Sequence, residues 1–219
     1  MCFSATASFT AGTLLLAAGV VAQTRAKGPA QRAYAAIPLL FAVQQLTEGI
    51  IWLSFDWSSP RFTGWATQFY SFFSHVLWPV YVPVAAWLTE PQVGRKKLLS
   101  WVCIAGFAIG AYLLYSMVAS PIVATPVGGH VDYQAPHFYA ALSMTAYLVA
   151  TTVSLLLSSQ RWVRVFGALA LAAAVVAYAF YARWFISVWC FFAGVLSLAV
   201  LLHVIQQGGP RAAAITPAQ

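Results

Sequence analysis

Seven long apolar stretches limit what this chain can fold into. A membrane-spanning helix needs about 20 mostly apolar residues, and seven such stretches cover residues 8–24, 33–55, 65–89, 99–119, 138–157, 163–182 and 185–206. The last divider, at Arg183 and Trp184, is hardly a loop, so one long broken helix is an alternative for the last two stretches. We predict an all-α integral membrane protein, a seven-transmembrane-helix bundle forming one domain over residues 1–207, with a mobile cytoplasmic tail over residues 208–219.

The scarcity of charge narrows the class of protein, and the position of the charges predicts its orientation. Only 7% of the residues are charged, against about 25% in an ordinary soluble domain, which argues against a soluble enzyme. The net charge is +7, but no basic cluster exceeds three residues, so we expect no nucleic-acid partner. Nine Lys and Arg residues fall in loops one, three and five and in the C-terminal tail, and only Arg61 and Arg183 fall opposite. Positive loops stay in the cytoplasm, which predicts the N-terminus outside and the C-terminus inside.

Two ionisable residues lie well inside the predicted spans, Glu48 in the second and His75 in the third. An ionisable group in a membrane core costs about 2.5–3.5 kcal/mol on insertion scales, so it usually faces protein or water. Gln44 shares a helix face with Glu48, and Ser71 shares one with His75. At 1.5 Å per residue, Glu48 and His75 lie about 10 Å and about 15 Å below the outer ends of their spans. The sequence therefore predicts a buried polar site in the outer half of the bundle.

Two prolines in the third span strengthen this prediction. A proline removes the hydrogen bond to the carbonyl four residues earlier, so Pro79 frees the carbonyl of His75 and Pro83 frees that of Pro79. A free carbonyl at this depth needs another donor, a water or an ion. The alternative is a purely structural role, in which Glu48 and His75 pair only to hold two helices together.

The N-terminus and the fourth loop supply further candidate ligands. Cys2 offers a thiol, a soft ligand for zinc or copper, and would reach the outer mouth above Glu48 and His75; the alternatives are a frayed terminus or a disulfide with Cys190. The fourth loop carries the pattern H-x-D-x-x-x-x-H at His130, Asp132 and His137. That pattern would close a metal shell or cover the site, although two prolines and Gly128–Gly129 favour a solvated turn.

Two family resemblances accompany these residues. The opening MCFSATASF resembles a group of uncharacterised bacterial membrane proteins that begin with Met-Cys-Phe-Ser-Ala, which implies a bacterial inner-membrane protein but no activity. Ser71-x-x-x-His75 resembles the Ser-x-x-x-His signature of the alkaline-ceramidase-like seven-span zinc hydrolases. That family also has an intramembrane Asp and a His-x-x-x-His in the last span, where this chain has His203 and Gln207 and no Asp within a span. No lysine lies in the last span, so retinal cannot attach as it does in microbial rhodopsins.

The leading functional hypothesis is a metal site in the outer half of the bundle, with one zinc or copper ion held by Cys2, Glu48 and His75. Water on such a metal becomes a nucleophile near neutral pH, which would hydrolyse a lipid-like or amide substrate, with Glu48 as an alternative base and Ser71 carried over from the hydrolase resemblance. The first alternative is a proton-coupled transporter or channel that uses Glu48 and His75, and the second is a non-catalytic sensor or assembly subunit. Membrane lipids are expected partners, together with a small-molecule or lipid-like ligand, and the oligomeric state stays open.

Overall fold

The computed structural model describes residues 4–57 and 59–208, and almost all of that chain is helical. The helices are α1 (Ala5–Arg25), α2 (Gly28–Ala35), α3 (Ile37–Ser54), α4 (Pro60–Ser71), α5 (Trp78–Thr89), α6 (Val93–Ala119), α7 (Ala141–Leu148), α8 (Ser154–Leu156), α9 (Arg161–Tyr181), α10 (Phe185–Leu196) and α11 (Leu198–Gly208). Strands β1 (Val123–Val127) and β2 (His130–Gln134) form a hairpin between α6 and α7.

Five helical runs in this part of the chain are long and apolar enough to cross a membrane: Ala5–Arg25, Gly28–Ser54, Pro60–Thr89, Val93–Ala119 and Arg161–Gln207. A shorter apolar helix covers Ala141–Leu156. Large apolar side chains point outwards, as Leu142 and Val118 show with 83% and 76% exposure, while carboxylate, amide and imidazole groups lie inside. This distribution suits a lipid environment. The helical character predicted from the sequence is confirmed, and the apolar helices are compatible with a multi-pass membrane protein.

The run Arg161–Gln207 is a helical hairpin. Trp162 at the start of α9 donates a hydrogen bond to Gln206 near the end of α11, at 2.5 Å. Half-way along, the Trp189 indole donates to the Ala170 carbonyl at 3.0 Å. These contacts require α9 to run antiparallel to α10 and α11, with the reversal at the 3₁₀ turn Ala182–Trp184.

Helix α3 lies at the centre of the bundle, where α1 packs against it in antiparallel fashion. A Cβ atom on Gly12 would meet Leu46, and one on Gly19 would meet Leu39, both under 3.0 Å. Helices α5 and α6 approach as closely, because a Cβ on Gly106 would lie 2.0 Å from the Pro79 carbonyl oxygen. The carbonyl that Pro83 frees thus faces a glycine of the next helix.

A π-helical turn, Phe72–Leu77, joins α4 to α5. The backbone N–H of Trp78 reaches the Phe73 carbonyl, five residues back, just before Pro79, which has no N–H to offer. Proline thus disturbs the α-helical ladder here, and the wider turn accommodates the disturbance. Ser74 and His75 in this turn are both 1% exposed.

The fourth loop differs from the solvated turn that its prolines favoured. Gly128 and Gly129 have φ angles of 60° and 75°, the left-handed conformation that a two-residue hairpin turn requires. The strands pair from Val127–His130 to Val123–Gln134, and β2 is buried against the bundle along most of its length. The alternation of polar and apolar residues in β2 is typical of a strand with one solvated face, but both faces of this strand are covered.

Candidate functional site

The Glu48 carboxylate is fully buried and is held by hydroxyl groups from two other elements. Its Oε1 accepts a hydrogen bond from the Ser187 hydroxyl of α10 at 2.5 Å. The Tyr133 hydroxyl of β2 donates to the same oxygen at 3.4 Å. The carboxylate is therefore the point where the central helix, the last hairpin and the β hairpin meet.

Further polar groups surround this carboxylate. The Cys190 thiol, one turn from Ser187, is free and buried, and lies close to Gln44, Glu48 and Tyr70. The Gln44 amide oxygen accepts from the Trp78 indole at 2.7 Å. We call Gln44, Glu48, Tyr70, Tyr133, Ser187 and Cys190 the Glu48 cluster.

The two aromatic members of the cluster form its wall. Tyr70 on α4 stacks on Tyr133 with ring centroids 4.5 Å apart and an interplanar angle of 4°. Both side chains are buried. The β hairpin is thereby fixed over Glu48 by a ring stack as well as by the Tyr133 hydroxyl.

His75 has different neighbours from Glu48. Its Nδ1 lies 2.8 Å from the Ser74 hydroxyl, and its ring packs on Phe138 with centroids 4.9 Å apart. Within residues 4–57 and 59–208, no hydrogen bond or ion pair joins His75 to Glu48, and the Nε2 atom of His75 has no hydrogen-bond partner. The two residues are therefore in contact with different parts of the bundle.

Ser71, the hydroxyl carried over from the hydrolase resemblance, is fully buried one turn before His75. The Ser74 hydroxyl donates to its carbonyl at 3.3 Å. The Ser71 hydroxyl itself has no hydrogen-bond partner among the described residues. It is therefore a polar group that the described fold leaves available near the imidazole.

The predicted metal shell of Cys2, Glu48 and His75 stays a prediction. Cys2 lies outside the described residues. Within the described ranges no group of three or more His, Cys, Asp and Glu side chains is placed to hold a metal ion. The adjacent Glu48 and Cys190 are two candidate donors from that set.

A cavity of about 360 Å³ lies beside the C-terminal end of α3, the N-terminal half of α4 and strand β1. Its lining includes hydroxyl groups of Ser54, Ser59, Thr63 and Thr67. Thr67 is one turn before Tyr70, and it is fully buried, so the cavity reaches down towards the Glu48 cluster. Below the cluster, an apolar cavity of about 20 Å³ is lined by Trp78, Cys190 and neighbouring apolar side chains.

Polar residues of the fourth loop attach the β hairpin to the rest of the bundle. Asp132 forms an ion pair with Arg183 at 2.9 Å, which ties β2 to the turn between α9 and α10. His130 stacks on Trp184 at 4.7 Å, and its Nδ1 lies 2.9 Å from the Gly128 carbonyl. His137 lies apart from both, in the lining of a cavity beside His75. The residues of H-x-D-x-x-x-x-H therefore do not form a single cluster.

At the opposite end of the bundle, a second buried acid, Glu90, receives four hydrogen bonds. Ser158 and Ser159 donate through both hydroxyls and through one backbone N–H, at 2.6–3.0 Å. The backbone N–H of Gln92 donates at 3.0 Å. Burial alone would raise the pKa of the Glu90 carboxyl, but these donors outweigh it and the pKa is lowered.

His203, near the end of α11, is a buried histidine with 4% exposure. Its ring meets Tyr34 edge to face, with centroids 5.3 Å apart.

Comparison with known families assigns the chain to a family but indicates no activity. A family of unknown function, DUF6629, has a model that matches residues 1–215. The chain belongs to this family. No curated protein and no solved structure matches it. The prediction of an uncharacterised family is confirmed, and the function must be argued from the geometry.

Proposed function

We propose that the protein is a seven-span integral protein of a bacterial inner membrane, with its N-terminus outside. The five apolar runs support this when Arg161–Gln207 is counted as two spans, because it folds back on itself, and when Ala141–Leu156 is counted as one. The distribution of Lys and Arg supports the orientation. The Glu48 cluster then lies in the outer half, below the β hairpin.

A labelling experiment tests the orientation. Single cysteines at Ser59 and Gln134 should react with a membrane-impermeant maleimide in intact cells, whereas a cysteine at Gly94 should react only after the membrane is opened. The unsubstituted chain measures any background from its own three cysteines. Labelling of Gly94→Cys in intact cells would reverse the orientation.

We further propose that the protein is a proton-coupled transporter or channel in which Glu48 is the protonation site. The observation that carries this is the set of hydroxyl partners, Ser187 and Tyr133. A hydroxyl donates to a carboxylate and accepts from a carboxylic acid, so the same partners suit both protonation states. A site that must gain and lose a proton inside a membrane needs this property.

Two features of the surroundings support the same proposal. The cavity with Ser54, Ser59, Thr63 and Thr67 in its lining would provide access from the outer side towards the cluster. The π-helical turn and Pro83 make the α4–α5 run a place where the helix can bend, and such turns are frequent at functional sites. His75 in this turn would accept the proton in a later step.

Charge movement tests the proposal without knowledge of the transported solute. Proteoliposomes on a solid-supported membrane are exposed to an acidic pH step, and the transient current is recorded. The wild type should give a current that Glu48→Gln abolishes. Asp56→Asn removes an exposed outer carboxylate and should leave the current unchanged. A wild-type trace equal to that of protein-free liposomes would refute the proposal.

The metal-dependent hydrolase is the second candidate, favoured by the Cys190 thiol beside Glu48. A thiol, a carboxylate and the Cys2 thiol would provide a shell for zinc or copper. Elemental analysis of protein purified without chelating resin tests it. About one transition metal per chain is expected, strongly reduced in Cys190→Ala and weakened in Glu48→Gln. Metal-free, folded wild type would remove this candidate and leave transport or a non-catalytic subunit.

A further inference from the structure

A small cavity beside His75 has a composition unlike that of the Glu48 cluster. It measures about 10 Å³ and lies between the π-helical turn, the end of α6 and the segment that follows β2. A cavity of this size holds the centre of about one water-sized particle. Three of its lining side chains carry soft or borderline metal donors: His75, Met117 and His137.

His75 is prepared as a ligand. Its side chain is 1% exposed, and its Nδ1 is fixed by the Ser74 hydroxyl at 2.8 Å. Its Nε2 has no hydrogen-bond partner in the described part of the chain. Metal-binding imidazoles characteristically have one nitrogen held by a neighbour while the other faces the ion.

The other two donors come from different elements. Met117, in the last turn of α6, is 8% exposed, so its thioether lies within the bundle. His137 follows β2 and is exposed, so it lies at the mouth of the cavity. The cavity therefore has a buried end formed by His75 and an accessible end where an ion would enter.

The lining determines which metal this donor set prefers. No Asp or Glu lines the cavity within the described residues, so calcium, magnesium and manganese, which prefer carboxylate oxygens, are disfavoured. Thioether sulfur is a soft ligand that selects Cu(I), and imidazole also suits copper. Two imidazoles and one thioether make a three-coordinate Cu(I) shell.

We propose that His75, Met117 and His137 form a Cu(I) site at the outer side of the bundle. This donor set differs from the Cys2–Glu48–His75 shell expected from the sequence, since it uses a methionine and the distant end of the fourth loop. It shares His75 with the later step of the proton-transfer proposal, but Met117 and His137 take no part in that proposal, and none of the three ligands belongs to the Glu48 cluster.

Competition with a Cu(I) chelator tests the site. Detergent-solubilised wild type is titrated anaerobically with Cu(I) buffered by bicinchoninate, beside His137→Ala, Met117→Leu and Met144→Leu. His137 is exposed, and Met117→Leu conserves side-chain volume, so both variants should fold. Met144, the matched methionine control, lies outside the cavity lining. Cysteine thiols elsewhere contribute equally to all four proteins.

The wild type should bind about one more Cu(I) ion per chain than His137→Ala at the same free Cu(I). Met117→Leu removes a direct ligand, so it should lower the Cu(I) affinity of the site by at least about 10–100-fold, the loss that removal of an outer-shell partner causes. Met144→Leu should match the wild type. X-ray absorption should show a sulfur ligand that Met117→Leu removes. Equal Cu(I) content in wild type and His137→Ala, or equal weakening in Met144→Leu, would overturn the proposal.

Discussion

Two of the buried carboxylates, Glu48 and Glu90, have different surroundings. Glu90, just after α5, receives four hydrogen bonds, two of them from backbone N–H groups that cannot move away. Glu48, in the middle of α3, meets the hydroxyls of Ser187 and Tyr133. Backbone N–H groups only donate, whereas hydroxyls both donate and accept. Glu90 is thus suited to permanent ionisation and Glu48 to a change of protonation.

The largest expected effect concerns stability at Glu90. Glu90→Ala leaves several buried donors without an acceptor, so we expect a loss of about 2–4 kcal/mol in the free energy of unfolding. Glu48→Gln keeps an amide oxygen for Ser187 and Tyr133, and should cost less than about 1 kcal/mol. Unfolding in mixed micelles with increasing SDS measures both. A larger loss in Glu48→Gln than in Glu90→Ala would reverse the roles assigned to the two acids.

The pH dependence of stability should separate the two acids next. The folded-state pKa of Glu90 lies below its ordinary value of 4.5, so its ionised form stabilises the fold. This contribution is complete above the ordinary pKa and is lost as the pH falls through the lowered pKa of the folded state. The melting temperature of the wild type should therefore fall on acidification below pH 4.5.

Glu90→Gln provides the comparison for that measurement. It should melt lower than the wild type at neutral pH, but its melting temperature should change less on acidification. Asp56→Asn, which alters an exposed acid, should follow the wild-type curve. Parallel curves for wild type and Glu90→Gln would contradict the stabilising role of the ionised carboxylate.

The partners of Glu48 should contribute unequally to proton binding. Ser187 is at 2.5 Å and Tyr133 at 3.4 Å, and hydrogen bonds weaken with distance. Ser187→Ala should therefore remove most of the acid-induced charge movement, and Tyr133→Phe a smaller part. Both substitutions delete one hydroxyl, so each is a control for the other. Equal currents in the two variants and the wild type would show that neither hydroxyl serves the proton.

Much of the helical frame follows from the apolar stretches. The stretches 33–55, 65–89 and 99–119 fall within Gly28–Ser54, Pro60–Thr89 and Val93–Ala119, apart from one residue at the first boundary. Membrane helices are apolar on every side, so length alone reveals them. The reversal at Ala182–Trp184 is harder, because nothing polar marks it except Arg183.

The candidate site was predicted only in part, for a physical reason. Depth along a helix can be counted from the sequence, and it correctly placed Glu48 and His75 inside the protein. Depth does not reveal towards which side of the helix axis a side chain points. The π-helical turn changes that direction at His75, which lies within it. Ser187 is 139 residues from Glu48, and no local pattern encodes which distant helix packs on α3. The only signal in the sequence that could have pointed to Ser187 was its position three residues before Cys190.

The smallest expected effect concerns the ion pair that holds the β hairpin over Glu48. Arg183 is 59% exposed and Asp132 10%, and a pair of this kind contributes less than about 1 kcal/mol. Arg183→Gln should barely change the melting temperature. It should nevertheless let the hairpin open more often, so that a water-soluble carbodiimide modifies Glu48 faster from outside, by no more than about fivefold for 1 kcal/mol. Arg61→Gln, which neutralises the other arginine at the hairpin end of the bundle, is the matched control. If both variants react at the wild-type rate, the ring stack of Tyr70 on Tyr133 holds the hairpin closed, and Tyr70→Ala should then produce the faster reaction that Arg183→Gln did not.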